Sequence, residues 1–294
     1  MSEKILLDTD IGTNIDDALC LAYLLANPQC ELLGITTVSG EAKQRAMIAS
    51  ALCKAAGRQI PIFPGSEQPL LIAPNQLQAQ QAVALKNWDH DTHFLRGQAV
   101  EFLRQTIRAY PGEIILLTIG PLTNIGLLFS VDAEIPTLLK GLVMMCGRFT
   151  DRVQDEYGLL ERNASGDPHA TAIVYRANVK HHRSVGLDVT TRVSMSTAEF
   201  RRQFQFDLFQ PVLDFAEIWF QKRGSITFHD PLAAATIFDE QICAFAKGTV
   251  TVEWQNEKKL GTLTWQPDDV DGQHEVALKV NTQRFFRHYF SIFH

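Results

Sequence analysis

The stretch Lys4-Ile-Leu-Leu-Asp8-Thr-Asp10-Ile-Gly12-Thr-Asn14-Ile-Asp16-Asp17-Ala18 runs an apolar segment into two aspartates, turns at a glycine and opens a helical pattern on two more aspartates. Side chains alternate along a strand, so Asp8 and Asp10 are expected on the same side of its carboxyl end. Asp16 and Asp17 fall in the first turn of the next helix, where the macrodipole favours negative charge. Each piece has an ordinary structural reading, Asp16 as an N-cap and Gly12 as a turn residue. Taken together, four carboxylates within ten residues repel one another unless something cationic sits among them. A hard metal ion bound by oxygens is the simplest resolution. This motif alone does not separate a glycosidase from a phosphatase.

Working outward, strand-like and helix-like segments alternate. Strands are expected at 4–8, 31–38, 60–63, 113–119 and 142–145, with another ending at 186–188. Helices are expected at 16–26, 41–56 and 97–109, from Pro121, from Asp167-Pro168, and over 196–223 with Phe209, Leu213 and Phe220 in the core. Residues 64–94 read as a long loop, and such a loop in a compact enzyme is more often functional than idle. Near-continuous apolar strands alternating with helices predict an α/β fold: an open, mostly parallel sheet with helices on both faces. Segments 249–254, 261–265 and 275–280 alternate as strands and predict a small antiparallel C-terminal addition, either a sheet edge or a separate sheet, before a terminal helix. No Pro-, Gly- or Ser-rich linker divides the chain, so residues 1–294 are read as a single domain.

Composition narrows the function. Hydrophobic residues make up 46% and charged residues 20% of 294 residues, ordinary values for a globular protein. The net charge is −6 with Lys and Arg scattered, which argues against a nucleic-acid or anionic-membrane partner and for a small-molecule ligand. Five well-separated cysteines form neither a CxxC pair nor a Cys/His cluster, so zinc and a disulfide framework are not expected. The chain enters its first strand directly after Met-Ser-Glu-Lys, and no apolar run approaches the ~20 residues of a membrane span. A soluble, cytoplasmic protein is therefore expected.

In open α/β sheets ligands bind beyond the carboxyl ends of the strands. Polar residues do follow the expected strands: Asp8 and Asp10, then Ser39 to Glu41, Asn124, Glu161 with Asn163, Asp188, and His229-Asp230-Pro231 at another helix start. Asp10, Asp17, Glu41, Glu161, Asn163, His229 and Asp230 are the set expected to share one pocket. Asn124 and Asp167 read as structural, one tying down a helix start and the other an N-cap before Pro168.

At this point the chain resembles the inosine-uridine preferring nucleoside hydrolase family. The likeness rests on the aspartate-rich segment 8–18, Thr36-Thr-Val-Ser-Gly40, Gly120-Pro-Leu-Thr-Asn-Ile125, Glu161-Arg-Asn163 followed by Asp167-Pro168, and His229-Asp230-Pro231. It runs from residue 5 to about 240 in the family's order. The resemblance implies a calcium-dependent enzyme that cleaves the N-glycosidic bond of a ribonucleoside to ribose and free base. It implies Ca²⁺ bound by Asp10, Asp17, Asp230 and the backbone carbonyl of Ile119. Asp16 would bond a ribose hydroxyl, Glu161 and Asn163 would hold the sugar, Asp10 would take the proton of a metal-activated water, and His229 would protonate the leaving base. A homo-oligomer, dimer or tetramer, is also implied.

The chemistry accounts for these residue types. An oxocarbenium-like transition state needs stabilisation while water is activated, and Ca²⁺ accepts six to eight oxygens flexibly. Histidine alone titrates near neutral pH unperturbed. Three departures from the family pattern stand out. The loop between Gly12 and Asp16 is two residues longer, which brings Asn14 towards the pocket. Glu41 stands where an Asn is usual, and its carboxylate would bind a ribose hydroxyl. Arg162 stands where an aromatic residue often sits, and would stack on a base, meet an anionic group or point to solvent. Trp88, His90, His93 and the surroundings of Trp219 are the candidates for base recognition. Two competing readings are a non-catalytic nucleoside- or ribose-binding protein and a haloacid dehalogenase-type phosphohydrolase. The latter lacks the usual residue after the first turn.

Overall fold

The computed structural model describes residues 2–150 and 160–293. The middle of the polar stretch expected between the 142–145 strand and Gly166, residues 151–159, lies outside the described residues. The strands are β1 (Glu3–Thr9), β2 (Cys30–Thr37), β3 (Ile62–Pro64), β4 (Ile114–Thr118), β5 (Gly141–Met144), β6 (His182–Ser184), β7 (Ser194–Ser196), β8 (Ser225–Thr227), β9 (Cys243–Val252), β10 (Leu263–Pro267) and β11 (His274–Val280). Among the described residues, nine of them form one sheet in the order β10-β9-β11-β6-β5-β4-β1-β2-β3. From β3 to β11 every neighbouring pair is parallel, whereas β9 and β10 add antiparallel.

Alternation within β1 explains why both faces are covered. Ile5 and Leu7 face one core, built with the Asp16–Ala26, Ala42–Ala55, His229–Phe238 and Thr282–Ser291 helices. Leu6 faces the other, built with Ala99–Ala109, Thr123–Val131 and Pro168–Tyr175. Leu116 and Leu117 on β4, and Leu142 and Val143 on β5, divide in the same way. A strand buried on both sides must read as a continuous apolar run, which is what the sequence shows.

Three expectations change. The strand expected to end at 186–188 stops at Ser184, and Leu187–Thr190 is a helical turn because the Gly186 carbonyl accepts from Val189 and Thr190 N–H. The helix expected over 196–223 divides into Thr197–Gln203 and Gln210–Phe220. Pro211 lies in the first turn of the second helix, where its missing N–H costs nothing, and could not lie inside one long helix. Phe209 is fully buried as expected, but Leu213 and Phe220 are only partly buried, and Val212 and Phe215 fill the interior instead. The C-terminal strands are an edge of the main sheet, not a separate one, while β7 and β8 pair as a small antiparallel sheet with no sequence signal.

Strand order runs outward in both directions from the neighbours β1 and β4. That reversal opens a crevice at their carboxyl ends. Asp10 and Ile119 lie one residue beyond those two ends.

Candidate active site

A cavity of about 530 Å³ lies at this crevice, lined by Asp10, Asp16, Asp17, Ile119, Glu161, Asn163, His229 and Asp230 among others. That volume is within the usual ~300–1,000 Å³ of small-molecule pockets.

The acidic floor is assembled by two helix starts. Asp16 and Asp17 open the Asp16–Ala26 helix, and Asp230 lies in the first turn of the His229–Phe238 helix packed against it. Carboxylate oxygens of Asp16, Asp17 and Asp230 all lie within 4.8 Å of one another, and all three residues are buried. Asp16 is not an N-cap; Ile15 holds that position without a side-chain bond. Its carboxylate instead accepts from Asp230 N–H at 3.4 Å, and the Thr9 hydroxyl donates to Asp17 at 2.6 Å. Burial pushes the Asp16 carboxyl up to about 7, and burial followed by neighbouring charge raises Asp17 and Asp230 well above the ordinary range. Three buried acids that resist ionisation together, offering only oxygen, suit a hard divalent cation.

Asp8 and Asp10 part company. Asp8 is buried against β2 and helix Thr123–Val131, bonded by Thr36 Oγ1 and by Asn124 Nδ2 at 2.7 Å, and burial lifts its carboxyl to about 7. Asn124 is thus the structural tie expected of it, and Asp167 caps Pro168–Tyr175 by accepting from Ala170 N–H at 3.0 Å. Asp10 lines the cavity, and burial raises its pKa. Gln76 donates to its Oδ2 at 2.7 Å. Its Oδ1 lies close to Gly120, where an added Cβ would come within 3.0 Å, so the bare glycine leaves that oxygen room.

On the opposite wall, Glu161 caps the Arg162–Gly166 helix. It accepts from Asn163 N–H at 2.7 Å, Ala164 N–H at 2.9 Å and Gly147 N–H at 3.0 Å. Asn163 Nδ2 donates to the carbonyls of Ile119 at 3.0 Å and Met145 at 2.9 Å. Its remaining polar atom is the acceptor Oδ1, and the Ile119 carbonyl keeps a second lone pair. His229 Nδ1 meets Thr190 Oγ1 at 2.7 Å, and burial lowers its pKa to about 4. The ring is therefore neutral at pH 7 in the free protein.

Other expected residues are elsewhere. Glu41 does not line the cavity; its carboxylate accepts from Ala79 N–H at 2.8 Å, and its backbone is left-handed with φ 60°. Trp88, His90 and His93 stay out of it too: Trp88 Nε1 donates to Asp214 at 3.0 Å, and the two histidines bond within their own loop. Asp188 receives the N–H groups of Phe149 and Thr150, each at 2.8 Å. Asn14, Arg162 and Trp219 do line the cavity.

Two participants went unforeseen. Arg45 is fully buried beneath the site and donates to the carbonyls of Gly40, Asp10 and Ile11 and to Thr13 Oγ1. Its signal was weak, because Lys43 two residues earlier gives the 42–52 helical pattern a second charge. Gln76 had none, because its segment is rich in interchangeable Gln and Asn.

The sequence profile of the inosine-uridine preferring nucleoside hydrolase family matches residues 5–287. The chain belongs to that family. It is accordingly a nucleoside hydrolase, and the phosphohydrolase alternative is set aside. Relatives include uridine nucleosidase 1 of Arabidopsis thaliana, 28% identical over 86% of this chain and 79% of the relative. The non-specific ribonucleoside hydrolase RihC of Escherichia coli O157:H7 is 29% identical over 97% of this chain and 96% of the relative. In fold the nucleoside hydrolase resembles a purine-preferring ribonucleoside hydrolase from Gardnerella vaginalis, at 22% identity and a TM-score of 0.87, covering 99% of this chain and 98% of the other. Among the described residues no helix is long and apolar enough to cross a membrane.

Proposed function

We propose that this nucleoside hydrolase uses the acidic floor to hold a calcium ion and hydrolyses ribonucleosides to ribose and free base. The observation that carries this reading is the trio of buried carboxylates within 4.8 Å of one another in a cavity that Glu161, Asn163 and His229 also line. Asp10, Asp17, Asp230 and the Ile119 carbonyl would hold the ion as an all-oxygen set, and Asp16 beside them would take a ribose hydroxyl. When bound, the cation supplies charge that acidifies water and takes up ribose hydroxyls.

Asp10 accepts the proton of the attacking water, with Gln76 fixing the orientation of its carboxylate. The water oxygen bonds to C1′ as the C1′–N bond breaks, and the base, left with the electron pair, takes up a proton from solvent handed on through the His229 hydrogen bond to become the free base. Asn163 Oδ1 holds the sugar without adding charge, while Glu161 fixes the wall that carries Asn163. Neutral His229, oriented by Thr190, hydrogen-bonds the departing base.

The test is reducing-sugar release from a panel of nucleosides, with Ca²⁺ and with excess chelator. Chelator-sensitive release is expected, with kcat falling at least ~10²-fold in Asp10→Asn. No release from any nucleoside despite measured Ca²⁺ binding would sink the reading and leave a binding protein.

A further inference from the structure

The mouth of the cavity carries two guanidinium groups that the hydrolysis of a neutral nucleoside does not use. Arg162 and Arg223 both line it and are both exposed. Among the described residues neither meets a carboxylate. Arg162 Nη1 reaches only Asn14 Oδ1 at 3.4 Å, and Arg223 lies over the Trp219 ring at 5.6 Å. Elsewhere, Arg104, Arg108, Arg183, Arg201 and Arg284 each meet a carboxylate at 2.5–2.8 Å. Among the described residues other arginines also lack a carboxylate, but Arg162 and Arg223 are the two arginines that line the cavity.

A guanidinium offers five donors and accepts nothing. A neutral base or ribose covering it removes water without replacing the charge partner, whereas a phosphate or carboxylate engages it by paired, charge-assisted bonds. The acidic floor would repel such a group if it lay deep, so the anionic end belongs at the mouth, with the glycosidic bond over the floor.

We propose that the preferred substrate is a ribonucleoside bearing an anionic group, a phosphate on the sugar or a carboxylate on the base, recognised by Arg162 and Arg223. This rests on the hydrolase reading above. Trp219 beside Arg223 provides a flat apolar face for a base, so Arg223 suits a base carboxylate and Arg162 a sugar phosphate.

The experiment compares kcat/KM for uridine, uridine 5′-monophosphate and orotidine in the wild type, Arg162→Gln and Arg223→Gln. At least one charged substrate is expected to exceed uridine by about tenfold or more, the factor for one charge-assisted hydrogen bond. One of the two substitutions should bring that ratio close to one. Preference for the phosphate places the anion on the sugar, and preference for orotidine places it on the base; both support the proposal. Uridine equal to or better than both charged substrates overturns it while leaving the hydrolase reading intact, as does a ratio that neither substitution moves. Should no substrate release sugar, the hydrolase reading fails, and calorimetry still decides. Ribose 5-phosphate or orotate must then bind about tenfold tighter than ribose or uracil, and equal affinities overturn the proposal.

Discussion

His182 is an unusual residue to find at the centre of a sheet. It lies on β6 with its ring edge-on to Tyr175 at 5.1 Å and His274 at 4.7 Å. Among the described residues neither ring nitrogen has a hydrogen-bond partner. Burial, and secondarily the neighbouring His274, lower its pKa well below 6.5. An unpaired buried polar group costs about 1–3 kcal/mol. The unfolded chain titrates near 6.5, so below that pH it takes up a proton that the native state refuses. Stability is therefore fully present above pH 6.5 and falls as pH drops towards the lower native pKa, by up to ~1.4 kcal/mol per pH unit from this group. Replacing His182 by Phe removes both the unpaired nitrogens and the titration. The variant should be at least as stable as wild type in urea at pH 7.5 and lose less stability at pH 5.5. Parallel losses in the two proteins would show that His182 is not the acid-sensitive group.

At the scale of elements, the turn between β1 and its helix is held from outside. Arg45 donates to the carbonyls of Asp10 and Ile11, Gln76 to Asp10 and Thr13, and Gln81 to the carbonyls of Thr13 and Asn14. The 64–94 loop thus clamps the turn through Gln76 and Gln81, while Trp88, His90 and His93 lie outside the cavity lining. Gly12 is the joint, at φ 111°, where an added Cβ would meet Ile48 Cδ1 at 2.6 Å and Ala79 Cβ at 3.1 Å. Gly12→Ala combines a disfavoured backbone with overpacking and should cost about 2–3 kcal/mol. It should also lower kcat, because Asp10 shifts with the turn; thermal melts and single-substrate kinetics read both. Unchanged stability with unchanged kcat would mean the clamp is slack.

That turn also shows what the sequence could reveal. Four aspartates and a glycine on one strand–loop–helix are local, so their chemistry is legible from spacing. Strands buried on both faces are legible because every residue must be apolar. By contrast β7 and β8 are three residues long, polar and paired across a helical excursion. Glu41 and Asp188 look like site residues because they follow expected strands, yet each binds backbone N–H groups of a distant loop. Which polar residue faces inward at a strand end depends on loops that no periodicity describes.

At the scale of the molecule, the site joins segments far apart in the chain: Asp16 and Asp230 are 214 residues distant yet in hydrogen-bond reach. Strand order brings β1 and β4 together, and the packing of the Asp16–Ala26 and His229–Phe238 helices closes the floor. The terminal helix supports this from behind: Tyr289 is fully buried, stacks on Tyr23 with centroids 5.4 Å apart and donates to the Leu19 carbonyl at 3.0 Å. Tyr289 therefore serves the chain's own core. Three acids forced together at the junction oppose folding unless they are protonated or neutralised by a cation. A divalent ion that binds only the native state adds about 2.7 kcal/mol at a hundred times its Kd. Ca²⁺ should therefore raise the melting temperature of the wild type, and chelator should reverse the gain. Asp17→Asn keeps an oxygen to accept from Thr9 but removes one charge. Without ion it should melt above the wild type, since repulsion is relieved, and with Ca²⁺ it should gain much less. The two curves should cross as Ca²⁺ is titrated in a thermal-shift series. A substitution that lowers stability equally with and without ion would instead make Asp17 a packing residue and remove the floor's claim to a cation.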